Sequence, residues 1–219
     1  MSIKLKGSTA GSVSWDAPLD TSPSGTDVTL TLPTSAGSAG QYLRNSGTPG
    51  TLEFGTLNSA ILQVRTTFKT NATSYASTNS SFGDLSGLSV SITPASASNK
   101  VLVIARISVS NATSNRVALG LKRGSTVITA ANNQQTGIGS RTQGHSSAVI
   151  ANGNSMSDLH VTYLDSPSTT SATTYQIMGS GEGNSTIYVN QSETNLDTSS
   201  VYLTTSFVSV FEIDGSLVS

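Results

Sequence analysis

Lys100-Val-Leu-Val-Ile-Ala-Arg-Ile-Ser-Val-Ser110 decides the fold class. Val101, Val103, Ala105, Ile107 and Val109 recur at every second position, the period at which side chains of an extended chain return to one face. The run is rich in β-branched residues, which suit a pleated surface. It predicts a strand with a buried face. The same alternation returns downstream in Val117, Leu119, Leu121 and in Leu159, Val161, Tyr163. Candidate strands cover 61–68, 86–92, 100–110, 116–122, 126–130, 146–150, 158–164, 173–178, 186–190 and 201–213. Arg123-Gly124-Ser125, between two apolar runs, predicts a tight hairpin. Short strands punctuated by turns predict an all-β protein built on an antiparallel β-sandwich. Val103, Ile107, Leu119, Val161 and Ile177 are its expected core. Helix is nearly absent; residues 193–200 are expected to be a loop.

Composition agrees. Ser and Thr make up 70 of the 219 residues, and charged residues only 11%. Thr favours strands, while Ser and Gly favour turns. The net charge is -1, with 11 Lys and Arg that form no run. Phosphate neutralisation needs a clustered basic face, so nucleic acid is not an expected partner. There is no cysteine, which excludes disulfides, thiolate metal sites and cysteine nucleophiles. The N-terminus, Met1-Ser-Ile-Lys-Leu-Lys6, lacks a signal-peptide core, and no window approaches the ~18 apolar residues of a membrane helix. A soluble chain without membrane insertion is expected.

Residues 1–58 differ from the rest. Turn residues dominate, and the extended pieces are very short: Ser12–Trp15, Asp27–Pro33 and Gln41–Arg44. Alternation puts Val28, Leu30 and Leu32 on one face. The apolar residues are too few to close a core within one chain. This predicts an extended N-terminal arm, 1–58, held by other chains and followed by a sandwich head, 59–219.

Candidate chemistry is sparse. His145 falls in a polar loop, and His160 sits on a strand between Leu159 and Val161, so it should face outward. No carboxylate or thiol is patterned with either, as a metal site or general base would need. The acids are scattered: Asp16, Asp20, Asp27 and Glu53 in the arm, Glu182 and Glu193 in loops. None forms a persuasive pair for glycoside hydrolysis. Gly137–Thr142 lacks the Lys-Ser/Thr ending of a phosphate loop. Trp15 and Tyr42 are read as apolar anchors of the arm. No catalytic, cofactor-binding or metal residue is assigned, no cofactor is expected, and the chain is not expected to be an enzyme.

The segment 27–57, with Thr29-Leu-Thr-Leu-Pro33, Gly37-Ser-Ala-Gly-Gln-Tyr-Leu43 and Phe54, resembles an element of tail-fibre and other structural proteins of marine, especially cyanobacterial, tailed phages. The usual Trp after the turn is replaced by Phe54. Downstream, Leu88–Pro94 with Lys100–Val103, Leu121–Thr126, Tyr163–Tyr175, Thr186–Asn190 and Val210–Ile213 resemble, in order, jelly-roll heads of the C1q and tumour-necrosis-factor type. The resemblance implies a jelly roll, a homotrimer and location in the virion. It implies other virion proteins as partners through the arm, and host surface glycan or protein as a further partner. A short tail fibre or tail-associated appendage is the leading expectation. A capsid decoration protein is the alternative, favoured by the shortness of the arm, and a polysaccharide-degrading tailspike comes third.

Overall fold

The computed structural model describes the backbone of residues 3–6 and 12–15 and, with side chains, residues 30–56, 59–77, 81–111, 115–128, 143–199 and 201–218. The chain divides into two compact units, Met1–Asn58 and Ser59–Ser219. Strands are all antiparallel, and the only helical pieces among the described residues are two 3-10 turns.

In the first unit β1 (Ile3–Lys6) pairs with β2 (Ser12–Trp15), and β3 (Gln41–Asn45) with β4 (Leu52–Thr56). The β3–β4 hairpin is flanked by a stretch around Thr31, which makes a single parallel bridge to Thr51. Phe54 lies against Gly37: a Cβ built on that glycine would fall 2.5 Å from the ring, so any side chain there would have to displace it. The sequence reads Asp27–Pro33 as a very short extended piece. Residues 27–29 lie outside the described residues, and beyond them only the bridge at Thr31 forms. Leu30 and Leu32 are exposed. Asp16, Asp20 and Asp27 and the Trp15 side chain also lie outside the described residues.

The second unit is the sandwich. Its strands are β5 (Ile61–Lys69), β6 (Thr73–Tyr75), β7 (Gly83–Ile92), β8 (Lys100–Asn111), β9 (Arg116–Arg123), β10 (Thr126–Ile128), β11 (Ser146–Val149), β12 (Ser157–Asp165), β13 (Thr173–Gly181), β14 (Ile187–Val189) and β15 (Ser206–Ile213). β10 and β11 both pair with β9 and form one broken line. β14 and β15 likewise follow one another along β8, and β5 and β6 along β15 and β14. With each broken line counted once, the sheets run 1-8-3-6 and 2-7-4-5 in chain order. That is jelly-roll topology, with both sheets wholly antiparallel.

The core lies between the sheets. Val101, Val103, Ala105, Ile107 and Val109 are fully buried, as are Leu119, Val161 and Ile177. Each of the Val, Leu and Ile side chains contributes about 1.5–3 kcal/mol through burial. The hairpin at Gly124-Ser125 joins β9 and β10, with Gly124 at φ +54°. Val201–Thr205 was expected to begin the last strand. It does not: the chain re-enters the sheet only at Ser206, and Tyr202 and Leu203 are exposed.

Three polar clusters close the core. Asp165 on β12 accepts from Arg123 Nη1 at 2.6 and 2.7 Å and from the Tyr175 hydroxyl at 2.6 Å, tying the two sheets together. Burial, and with it the hydrogen bond to Asp165, raises the Tyr175 pKa well above its ordinary value, so the phenol remains a donor. Glu212, fully buried on β15, accepts from Gln63 Nε2 and Asn99 Nδ2 at 2.5 Å and from the Ala95 amide at 2.6 Å. Burial alone would raise its pKa. The hydrogen bonds from Asn99, Gln63, Ala95 and Ser96 outweigh it and hold the carboxyl below its ordinary value. The third cluster centres on Asn190, at the break between β14 and β15.

Candidate functional site

Antiparallel sheets with one solvated face normally alternate apolar-in with polar-out. The outward face of the 1-8-3-6 sheet breaks that rule. On β8 the outward residues are Leu102, Ile104 and Arg106, interleaved with the core set. Their cross-strand partners continue three rows over all four lines. The first row is Val64, Phe211, Leu102, Leu164; the second Thr66, Ser209, Ile104, Thr162; the third Phe68, Phe207, Arg106, His160. The first row is apolar throughout.

The pairing shapes this surface. Phe68, 68% exposed, packs against Phe207 with ring centroids 6.2 Å apart. The Thr66 and Ser209 hydroxyls bond each other across the strands at 2.8 Å. Arg106 is engaged by Asp158 at 3.2 Å and by the Thr205 carbonyl at 2.7 Å. The face therefore presents aromatic and aliphatic surface, with Arg106 paired at one margin and Lys100, bonded to Ser166 Oγ at 2.9 Å, at the other. Apolar patches of this kind mark contact surfaces.

The second feature is the root of residues 190–205. Asn190 is fully buried and sits at φ +64°, a region asparagine tolerates better than most residues. Its side-chain amide donates to the carbonyls of Lys69 (2.8 Å) and Asn71 (3.2 Å) and accepts from the Ser206 hydroxyl at 2.6 Å. Its backbone donates to Ser108 and accepts from Thr204. Ser206 Oγ in turn accepts from the Ser108 amide at 3.0 Å. One asparagine thus pins both ends of the excursion to β8 and β5.

The residues singled out in the sequence are not brought together. His160 is exposed on the outward face, as its strand position required. His145 is half-buried; its Nε2 lies 2.7 Å from the Ile128 carbonyl, and its ring stands edge-on to Tyr163 at 5.6 Å. It bridges the two halves of the broken fifth line. Glu53 pairs with Arg44 and Glu182 with Arg116. Residues 137–142 lie outside the described residues. Among the described residues no three His, Cys, Asp or Glu side chains gather as a metal site would require, and no helix is long and apolar enough to cross a membrane. The outward apolar set went unread because β8 is apolar on both faces. The available signal was Leu102 and Ile104, interleaved with the core residues and echoed by Phe207 and Phe211.

No family model and no curated protein matches the sequence. Solved structures that match include infectious bursal disease virus, Gt strain, at 13% identity and TM-score 0.36, over 84% of this chain and 50% of that one. The VP2 subviral particle of the same virus matches at 12% identity and TM-score 0.32, over 83% and 50%. The Gx strain matches at 10% identity and TM-score 0.31, over 81% and 48%. The chain spans about half the length of the solved structures it matches.

Proposed function

We propose that this chain is a bacteriophage virion structural protein, a short tail fibre or tail-associated appendage that works by surface contact and not by catalysis. Residues 1–58 fasten it to other virion proteins. The sandwich assembles as a homotrimer through the outward face of the 1-8-3-6 sheet and leaves its loops free for the host surface. The observation that carries this reading is the apolar row Val64, Phe211, Leu102, Leu164. A further copy suits the face: Arg106 at one margin is already paired with Asp158, so a neighbouring copy that packs over the apolar row leaves that guanidinium with its carboxylate. The resemblance of residues 27–57 to phage arm elements, and of the ordered downstream pieces to trimeric jelly-roll heads, supports the virion and trimer readings.

Native mass measurement of the purified protein tests the assembly. A trimer is expected, and a stable monomer across micromolar concentrations overturns it. Antibody label on virions should mark the tail; label over the shell would make the protein a capsid decoration instead. Protein lacking residues 1–55 should fold and fail to join particles. Incubation with host envelope polysaccharide should produce no new reducing ends.

A further inference from the structure

Residues 190–205 interrupt a strand that could have run on. β14 and β15 occupy one line beside β8, with Val189 opposite Val109 and Phe207 opposite Arg106. The excursion between them adds nothing to the core: its apolar residues Leu196, Tyr202 and Leu203 are exposed. Long segments without secondary structure inside compact domains, with their two ends held close together, are commonly functional.

The excursion is also built. Thr194 donates its backbone N–H to the Gly153 carbonyl at 3.3 Å and its hydroxyl to Asn154 Oδ1. The facing loop is an Asx turn in which Asn152 Oδ1 accepts from the Asn154 amide at 3.0 Å and from Ser155 Oγ at 3.1 Å. Ser192 Oγ accepts from the Asn195 amide at 3.3 Å. Between the two loops lies a groove of about 410 Å³ lined by Asn154, Met156, Ser192, Leu196, Tyr202 and Thr204. The lining presents the Asn154 amide beside apolar surface; the Ser192 and Thr204 hydroxyls sit buried behind it, and the Glu193 carboxylate packs against Gly153 next to it. The Thr204 hydroxyl is buried there with no partner among the described residues. Tyr202, 74% exposed, offers an aromatic ring at the groove.

We propose that this groove binds a neutral oligosaccharide. A pyranose ring presents one face of C–H groups and a rim of hydroxyls. The first suits an aromatic platform such as Tyr202, the second an uncharged amide such as Asn154. An anionic glycan would find no cation in the lining to offset its desolvation. This deepens the surface-contact reading by naming a ligand class for the head.

The full-length protein is passed over immobilised cellohexaose, maltohexaose and mannohexaose, with hexagalacturonate as the charged comparison. At least one neutral hexamer should bind with a Kd of about 1 mM or tighter. Tyr202→Ala should weaken it about ten-fold, and Tyr202→Phe should stay within about three-fold of wild type. The ring is exposed, so both variants should melt as the wild type does. Failure of all three neutral hexamers at about 10 mM, preference for hexagalacturonate, or undiminished binding by Tyr202→Ala would overturn the proposal. Native mass on the same samples reports assembly separately, so a failed groove and a failed trimer are distinguishable.

Discussion

Asp165 and Glu212 stand on opposite sides of Val101, each its cross-strand partner, so two buried carboxylates close the same end of the core. One is held by a cation and a phenol, the other by uncharged donors alone.

The difference sets an acid response for Glu212. Its pKa is lower folded than unfolded, where a glutamate titrates at about 4.3. Its contribution is therefore complete above that value and is lost as pH falls through the folded pKa. Glu212→Gln should flatten the acid limb of the urea midpoint against pH. Glu212→Ala, which strands the donors of Gln63, Asn99 and Ala95, should cost about 2–4 kcal/mol at neutral pH.

The Asp165 cluster should rank its partners by charge. Arg123→Met leaves a buried carboxylate without its cation and should cost about 3–5 kcal/mol. Tyr175→Phe removes one donor and keeps the ring, costing about 1–2 kcal/mol. Chemical denaturation of both variants checks the order, and equal losses would contradict it.

Two substitutions on β8 separate its faces. Ile107→Asp puts an unpaired carboxylate into the core and should cost about 4 kcal/mol or more, enough to prevent folding in a marginal domain. Leu102→Glu, pointing outward, should keep the β-sheet circular dichroism spectrum and run as a single chain in size exclusion with light scattering. An unfolded Leu102→Glu would show that the row belongs to the core.

Asn190 should be irreplaceable by either of the obvious substitutes. Asn190→Gly accepts φ +64° and loses the side-chain bonds to Lys69, Asn71 and Ser206; about 2–3 kcal/mol is expected. Asn190→Ala loses the same bonds and adds backbone strain, so it should melt lower still.

Much of the fold was legible because its signal is local. The alternation in Val101–Val109, Val117–Leu121 and Leu159–Tyr163 fixes which residues are inside, and each set is buried save Tyr163, which packs half-buried against the core. Strand pairing is not local. Nothing near Phe211 in sequence says that it lies beside Val64 and Leu102, so the outward row appears only once three distant strands are aligned. Val201-Tyr202-Leu203 has strand composition and leaves the sheet all the same, because Asn190 turns the backbone away and Ser206 returns it. β6, three residues long, carries too short a pattern to register.

The 1-8-3-6 order also constrains how the head comes into being. Its first and last lines are hydrogen-bonded neighbours: Gln63 meets Glu212 across 149 positions of sequence, and Thr66 meets Ser209 across 143. Such non-local closure places folding in the slow range of β proteins, about milliseconds to seconds. During synthesis β5 leaves the ribosome long before β15 exists. Until residue 213 has emerged, β5 and β8 both lack the strand that lies between them, with Val64 and Phe68 beside unpaired backbone. The nascent head is therefore most open to wrong pairing just before it is complete, and a chain stopped short of Ser206 has no native way to close.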